Sequence, residues 1–190
     1  MKSVLISIQP KWCELIASGE KTVEIRKTRP KLQTPFKVYI YCTKAFEYNK
    51  KYSYKTWAWY GKVIGEFVCD RIQEVRQCNS GWVREHACIS QDEFFDYLGI
   101  PRGTHFGYNK KAYAWHILNL VIYEKPKELS EFRIPCRFDF RKCENCKYDS
   151  WDYSYGGGKD RICTVKNRKP ITRPPQSWCY VERGASNDIV

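Results

Sequence analysis

Gly19-Glu20-Lys21-Thr22-Val23-Glu24-Ile25-Arg26 turns a helix into a strand. Upstream, Pro10 suits the first turn of a helix, where its missing N–H has no partner to lose. Trp12, Leu15 and Ile16 then share one helical face, and Gly19 fits the left-handed position just past the helix end. From Thr22 to Lys27 the period changes to two. Strand geometry puts Val23 and Ile25 on one face and Thr22, Glu24 and Arg26 on the other. The apolar pair is expected in the core and the polar row outside, with Lys21 reaching the same patch from the turn. A lysine, a glutamate and an arginine on one cleft can bind an anion or a polar base and move a proton. The plainer alternative is an exposed strand face with a Glu–Arg ion pair worth less than about 1 kcal/mol.

Outward from this stretch, Val4-Leu5-Ile6-Ser7-Ile8 and Val38-Tyr39-Ile40-Tyr41-Cys42 read as strands. Lys62 to Val75 reads as another, with Gly65 marking a bend, and Ala112 to Tyr123 as a long apolar one. Ser90-Gln91-Asp92-Glu93 is a capping box ahead of a short helix that Gly99 and Pro101 end. Ser177 to Val181 is a closing strand. Six or so strands and two or three short helices, without βαβ alternation, predict a mainly β (α+β) fold built on a small barrel.

The octapeptide has the form Gly-x-Lys-x-x-Glu-x-Arg, and Gly19, Lys21, Glu24 and Arg26 fill its fixed positions. In this the chain resembles the ASCH domain family, relatives of the PUA-like barrels. Ser7-Ile8-Gln9-Pro10 leading into the helix and Val38 to Thr43 fit the same pattern. Pro174-Pro175-Gln176-Ser177-Trp178-Cys179-Tyr180 looks like the closing strand of larger prokaryotic and phage members. The resemblance covers residues 1–124 and 170–182, giving a barrel of residues 1–124 plus 170–190 and a cysteine-rich insertion over 125–169. It implies a cleft beside the hallmark strand that binds RNA or a nucleotide. Lys21, Glu24 and Arg26 become the first candidates, then Lys11 and Trp12, then Tyr41, Thr43, Ser177 and Tyr180. Some small family members hydrolyse acetylated cytidine with a threonine where this chain has Glu24, so that mechanism loses its nucleophile here. RNA cleavage, with Glu24 as base and Lys21 or Arg26 as phosphate cation, is a second enzymatic option. A protein-interaction module is a third reading.

Charge points the same way. Across 190 residues, 33 basic minus 21 acidic side chains gives +12. Residues 1–62 hold 13 − 4 = +9, residues 63–124 hold 6 − 8 = −2, and residues 125–190 hold 14 − 9 = +5. Such an excess favours a polyanionic partner, and the 16% aromatic content suits base stacking in a charged groove. The basic aromatic loop at 44–61 is either a stacking surface at the cleft mouth or a hairpin packed on the barrel. With 43% hydrophobic residues, the chain has the material for a core, which excludes full disorder. No apolar run approaches the roughly 20 residues of a bilayer span, and no signal peptide precedes the first strand. A cytoplasmic protein without membrane contact is expected.

Ten cysteines in that setting do not suggest a disulfide framework. Cys13, Cys42, Cys69, Cys78 and Cys88 lie early, mostly in apolar runs, and read as small buried hydrophobes. Cys143-x2-Cys146 has knuckle spacing, and Cys163 follows. Cys136 completes a tetrahedral zinc set, with Cys179 the alternative. Four thiolates leave no open position, so this zinc is expected to be structural, stabilising a segment poor in aliphatic residues. Unmetallated thiols in a reducing cytosol are the alternative. His86, His105 and His116 have no ligand spacing, and His116 reads as a hydrogen-bonded residue of an apolar strand.

Overall fold

Val4, Leu5, Ile6 and Ile8 put apolar side chains on both faces of β1 (Ser3–Ile8), and all six of its residues are buried. A strand apolar on both sides belongs inside a layered fold. In the computed structural model, residues 3–44, 58–101, 110–134, 149–153, 159–163 and 170–183 are described. β1 lies inside a six-stranded sheet. It pairs in parallel with β3 (Phe36–Cys42) and antiparallel with β11 (Trp178–Arg183). β4 (Val63–Cys69) and β7 (Leu118–Lys127) extend the sheet beyond β3, and β8 (Phe132–Arg133) borders β11. A smaller sheet has the order β2 (Val23–Arg26), β6 (Tyr113–His116), β5 (Ile72–Glu74).

The two sheets are joined at corners. The segments expected as single strands at 62–75 and 112–123 are each divided. β4 gives way to β5 at Asp70 and Arg71, and β6 gives way to β7 at Ile117, with Asn119 at φ 50°. The chain therefore crosses twice between sheets and curls them into a half-barrel. Gly65 stands where the β4–β7 register shifts, and a Cβ there would strike the Val121 carbonyl oxygen. β7 continues through Lys127, which pairs with Val63. Near the end of the described chain, β9 (Asp149–Tyr153) and β10 (Lys159–Cys163) form an antiparallel pair.

Among the described residues, three helices complete the α+β fold: α1 (Pro10–Ala17), α2 (Ser80–His86) and α3 (Gln91–Leu98). α3 starts at the expected capping box, in which the Ser90 hydroxyl accepts from the Glu93 N–H at 3.2 Å. Its Gly99 closes the helix at φ 67°. Three apolar clusters follow. One, between α1 and the large sheet, holds Val4, Ile6, Cys13, Ile16, Phe67 and Trp115. The opposite face of that sheet buries Leu5, Tyr39, Tyr41, Phe132 and Val181. The third places Val23 and Ile25 of β2 against Val83, Phe94 and Leu98 of α2 and α3. Among the described residues, no helix is long and apolar enough to cross a membrane.

Candidate functional site

The turn between α1 and β2 is held by backbone bonds before any side chain acts. Gly19 adopts φ 82°, open to glycine without the Cβ penalty of that region. The Lys21 N–H then donates to the Leu15 carbonyl at 2.8 Å, folding the chain back on the helix end. The Thr22 N–H donates to the His86 carbonyl, and its own carbonyl accepts from Ile117, both at 2.9 Å. β2 thus begins wedged between α2 and β6.

On this strand the expected outward polar row does not occur. Lys21, Glu24 and Arg26 are 4%, 6% and 7% exposed. β2 is covered on both sides: Val23 and Ile25 face α2 and α3, while Glu24 and Arg26 turn toward the other layer. Register confirms this, because Glu24 stands opposite Trp115 and Arg26 opposite Tyr113, and paired residues share a face. Glu24 is gripped from both ends. Lys21 Nζ lies 3.3 Å from Oε2 and Arg26 Nη2 lies 2.9 Å from Oε1. Lys21 also donates to the Ala87 carbonyl at 2.8 Å, and Arg26 Nη2 to the Ser7 carbonyl at 2.6 Å. The triad is a buried ion network, not a solvated strand face, so the exposed-pair estimate does not apply to it. Charges this deep persist only when paired and hydrogen-bonded.

The network is not saturated. Two cations against one carboxylate leave a formal charge of +1. Among the described residues, Arg26 Nε and the indole Nε1 of Trp115 are buried without a hydrogen-bond partner. Each such donor costs about 1–3 kcal/mol when left unpaired. Trp12 borders the site, half-buried, with Lys11 Nζ 4.3 Å and Lys21 Nζ 5.1 Å from its ring centroid. Tyr97 of α3 stands at the other end. Burial pushes its hydroxyl above the ordinary range, and the Arg26 guanidinium opposes that rise. Neither Trp115 nor Tyr97 is distinguishable in the sequence from an ordinary core aromatic.

The remaining candidates divide. Lys11 is tied to Glu93 at 2.8 Å, at the outer edge of the Trp12 ring. Thr43 donates its N–H to the Ile8 carbonyl, and the Ser177 carbonyl accepts from Ser7, each at 2.9 Å. Both therefore flank the end of β1, whose Ser7 carbonyl holds Arg26. Tyr180 lies on the Trp115 side of the sheet, packed edge-on against Trp178 at 5.4 Å. Tyr41 points to the opposite face with Leu5 and Tyr39, so the structure does not bring it to the triad. Residues 45–57 of the basic aromatic loop lie outside the described residues; beyond them, Trp59 and Tyr60 pack on the core.

Cys136, Cys143 and Cys146 also lie outside the described residues, and Cys163 ends β10. Among the described residues, no group of histidine, cysteine and carboxylate side chains is arranged to hold a metal ion. Cys13, Cys42 and Cys69 are buried as expected, whereas Cys78 is exposed. His116 is hydrogen-bonded, its Nδ1 2.6 Å from Asp70.

A model of the ASCH domain matches residues 6–127, spanning β1 through β7. Among solved structures, the ASCH protein of Zymomonas mobilis is 25% identical, with 67% of this chain and 73% of that chain covered at a TM-score of 0.46. A tyrosine-to-phenylalanine variant of that protein is 24% identical, covering 68% and 77% at a TM-score of 0.47. No curated protein sequence matches the chain.

Proposed function

Starting from the fact that the chain belongs to the ASCH domain family, we propose that it binds RNA or a nucleotide at the Lys21–Glu24–Arg26 triad. One observation carries the reading: a buried, net-positive ion network with an unspent donor of its own, Arg26 Nε, and a second on Trp115, the residue opposite Glu24 in the strand pair. A ligand offering acceptor oxygens, from a phosphate or a base carbonyl, answers both the charge and the donors. Glu24 orients the two cations and is itself an acceptor for a base amino group. Both its oxygens already face cations, which favours holding a ligand over acting as a base.

The test uses Lys21→Met, which keeps the aliphatic stem beside Trp12 and removes the ammonium. Loss of a charged hydrogen bond of about 1.5–3 kcal/mol weakens binding of a labelled RNA oligonucleotide roughly 10- to 100-fold. Unchanged affinity in a folded variant refutes the assignment.

For the cysteine-rich stretch we propose a structural zinc on Cys136, Cys143, Cys146 and Cys163. The support is the x2 spacing of the central pair together with thiolate chemistry. Thiols in this number fit a reducing compartment such as the cytoplasm. Native mass spectrometry with metal analysis is expected to find one zinc per chain, and less than half an equivalent rejects it.

A further inference from the structure

We infer that the loop leaving the triad is a phosphodiester track, with Lys27, Arg29 and Lys31 contacting successive backbone phosphates of a single-stranded nucleic acid. The inference rests on the reading of the triad as a nucleic-acid site and extends it along the chain. β2 ends at Arg26, so Lys27 is the first residue beyond the buried network. The three cations alternate with Thr28 and Pro30, and all three are exposed. None has a carboxylate within ion-pair distance among the described residues. Three other exposed lysines are already neutralised: Lys11 holds Glu93, Lys37 holds Glu66 and Lys62 holds Glu128. A run of cations left unneutralised on a fixed loop is a polyanion footprint.

The loop is fixed by its neighbours. Trp178 Nε1 donates to the Thr28 hydroxyl at 3.0 Å, and the Lys31 N–H donates to the Tyr180 hydroxyl at 2.7 Å. Pro30 is buried. Lys27 Nζ sits 5.1 Å above the Tyr97 ring and the Arg29 guanidinium 5.7 Å above Tyr113. Tyr97 therefore carries the first cation of the track on its ring while its hydroxyl feels the Arg26 charge, joining triad and loop. Beyond it, residues 29–34 and Ile72 line an open groove of about 720 Å³. A strand with one nucleotide at the triad has its next phosphates over this loop, and the groove beside them has room for sugar and base.

Counterion release gives the readout. Binding of a labelled oligouridylate of roughly 12 nucleotides, within the span one small fold covers, is measured between about 50 and 200 mM salt. For single strands each neutralised phosphate contributes about 0.7 to the log–log slope. The triple variant Lys27→Gln, Arg29→Gln, Lys31→Gln is expected to flatten that slope by about 2. Lys37→Gln, whose ammonium is already paired with Glu66, is expected to leave it unchanged. A triple variant with the wild-type slope overturns the track and leaves the triad standing. Flattening by about 0.7 with Lys37→Gln also overturns it, because the effect then follows the charge removed and not its place. Wild-type protein that does not bind the oligonucleotide overturns the track, and the Lys21→Met test of the triad stands apart from it.

Discussion

A single nitrogen of Arg26, Nη2, holds Ser7 and Glu24 together, at 2.6 Å from the carbonyl oxygen of one and 2.9 Å from the carboxylate of the other. β1 and β2 belong to different sheets, so this guanidinium ties the large sheet to the small one at the triad. Arg26→Ala leaves a buried carboxylate with one cation in place of two. The expected cost is about 3 kcal/mol in urea denaturation, at the low end for breaking a buried pair because Lys21 remains. The double variant Arg26→Ala, Glu24→Ala is expected to lose less than the sum of its singles. Simple additivity counts against the network.

Two glycines carry opposite kinds of constraint. At Gly65 a methyl group meets the Val121 carbonyl oxygen in the neighbouring strand, whereas at Gly19 the same methyl meets nothing and only φ 82° resists it. Gly65→Ala is expected to destabilise by about 3 kcal/mol through forced separation of β4 and β7. Gly19→Ala is expected to cost about 1 kcal/mol of backbone strain. Thermal melting of both variants checks the order, and equal effects reject it.

Glu93 links acid stability to α3. The Lys11 ammonium and the Ser90 N–H hold its carboxyl below the ordinary glutamate range. A group with a lowered folded value contributes stability that is complete above the unfolded value, about 4.3, and is lost as pH falls through the folded one. Glu93→Gln is therefore expected to be less stable than wild type near pH 7. The gap narrows as pH falls below about 4.3. A gap independent of pH excludes this carboxylate as the cause.

The thiols are expected to sort by burial. Burial pushes the Cys69 thiol up to about 12 and that of Cys179 up to about 11, and raises Cys13 well above the ordinary range. The thiolate is the reactive form. Iodoacetamide on the folded protein near pH 8 is expected to modify the exposed Cys78 first and to spare Cys13, Cys69 and Cys179 until denaturant is added. Peptide mass mapping reads the order directly, and early labelling of Cys13 contradicts the packing around α1.

Local signals carried much of the architecture. Pro10, Gly19 and the Ser90–Glu93 box mark helix boundaries that the structure keeps, because caps and left-handed glycines are set by a few neighbouring atoms. The burial of Glu24 and Arg26 was not legible. Alternation reveals that a strand has two faces, but not that a second layer covers the polar one. The strand divisions at Asp70 and Ile117 were hidden for a similar reason, since a corner between sheets keeps the composition of a strand. Asn119, at φ 50°, was the available hint, as asparagine tolerates that region better than most residues. Trp115 and Tyr97 gave no signal as neighbours of the triad: an indole in an apolar run and a tyrosine on an amphipathic helix both look like packing.

The pairing of β1 with β11 joins Val4 to Tyr180 and Leu5 to Cys179. During synthesis the first of these strands leaves the ribosome long before its partner is made. Until then β1 has β3 on one side and a bare row of amide and carbonyl groups on the other, an invitation to pair with another chain. Contacts this distant in sequence also form slowly. The nascent chain therefore carries the centre of its large sheet unfinished until Trp178 emerges, and a message cut short before Trp178 would yield a sticky product in place of a smaller working one.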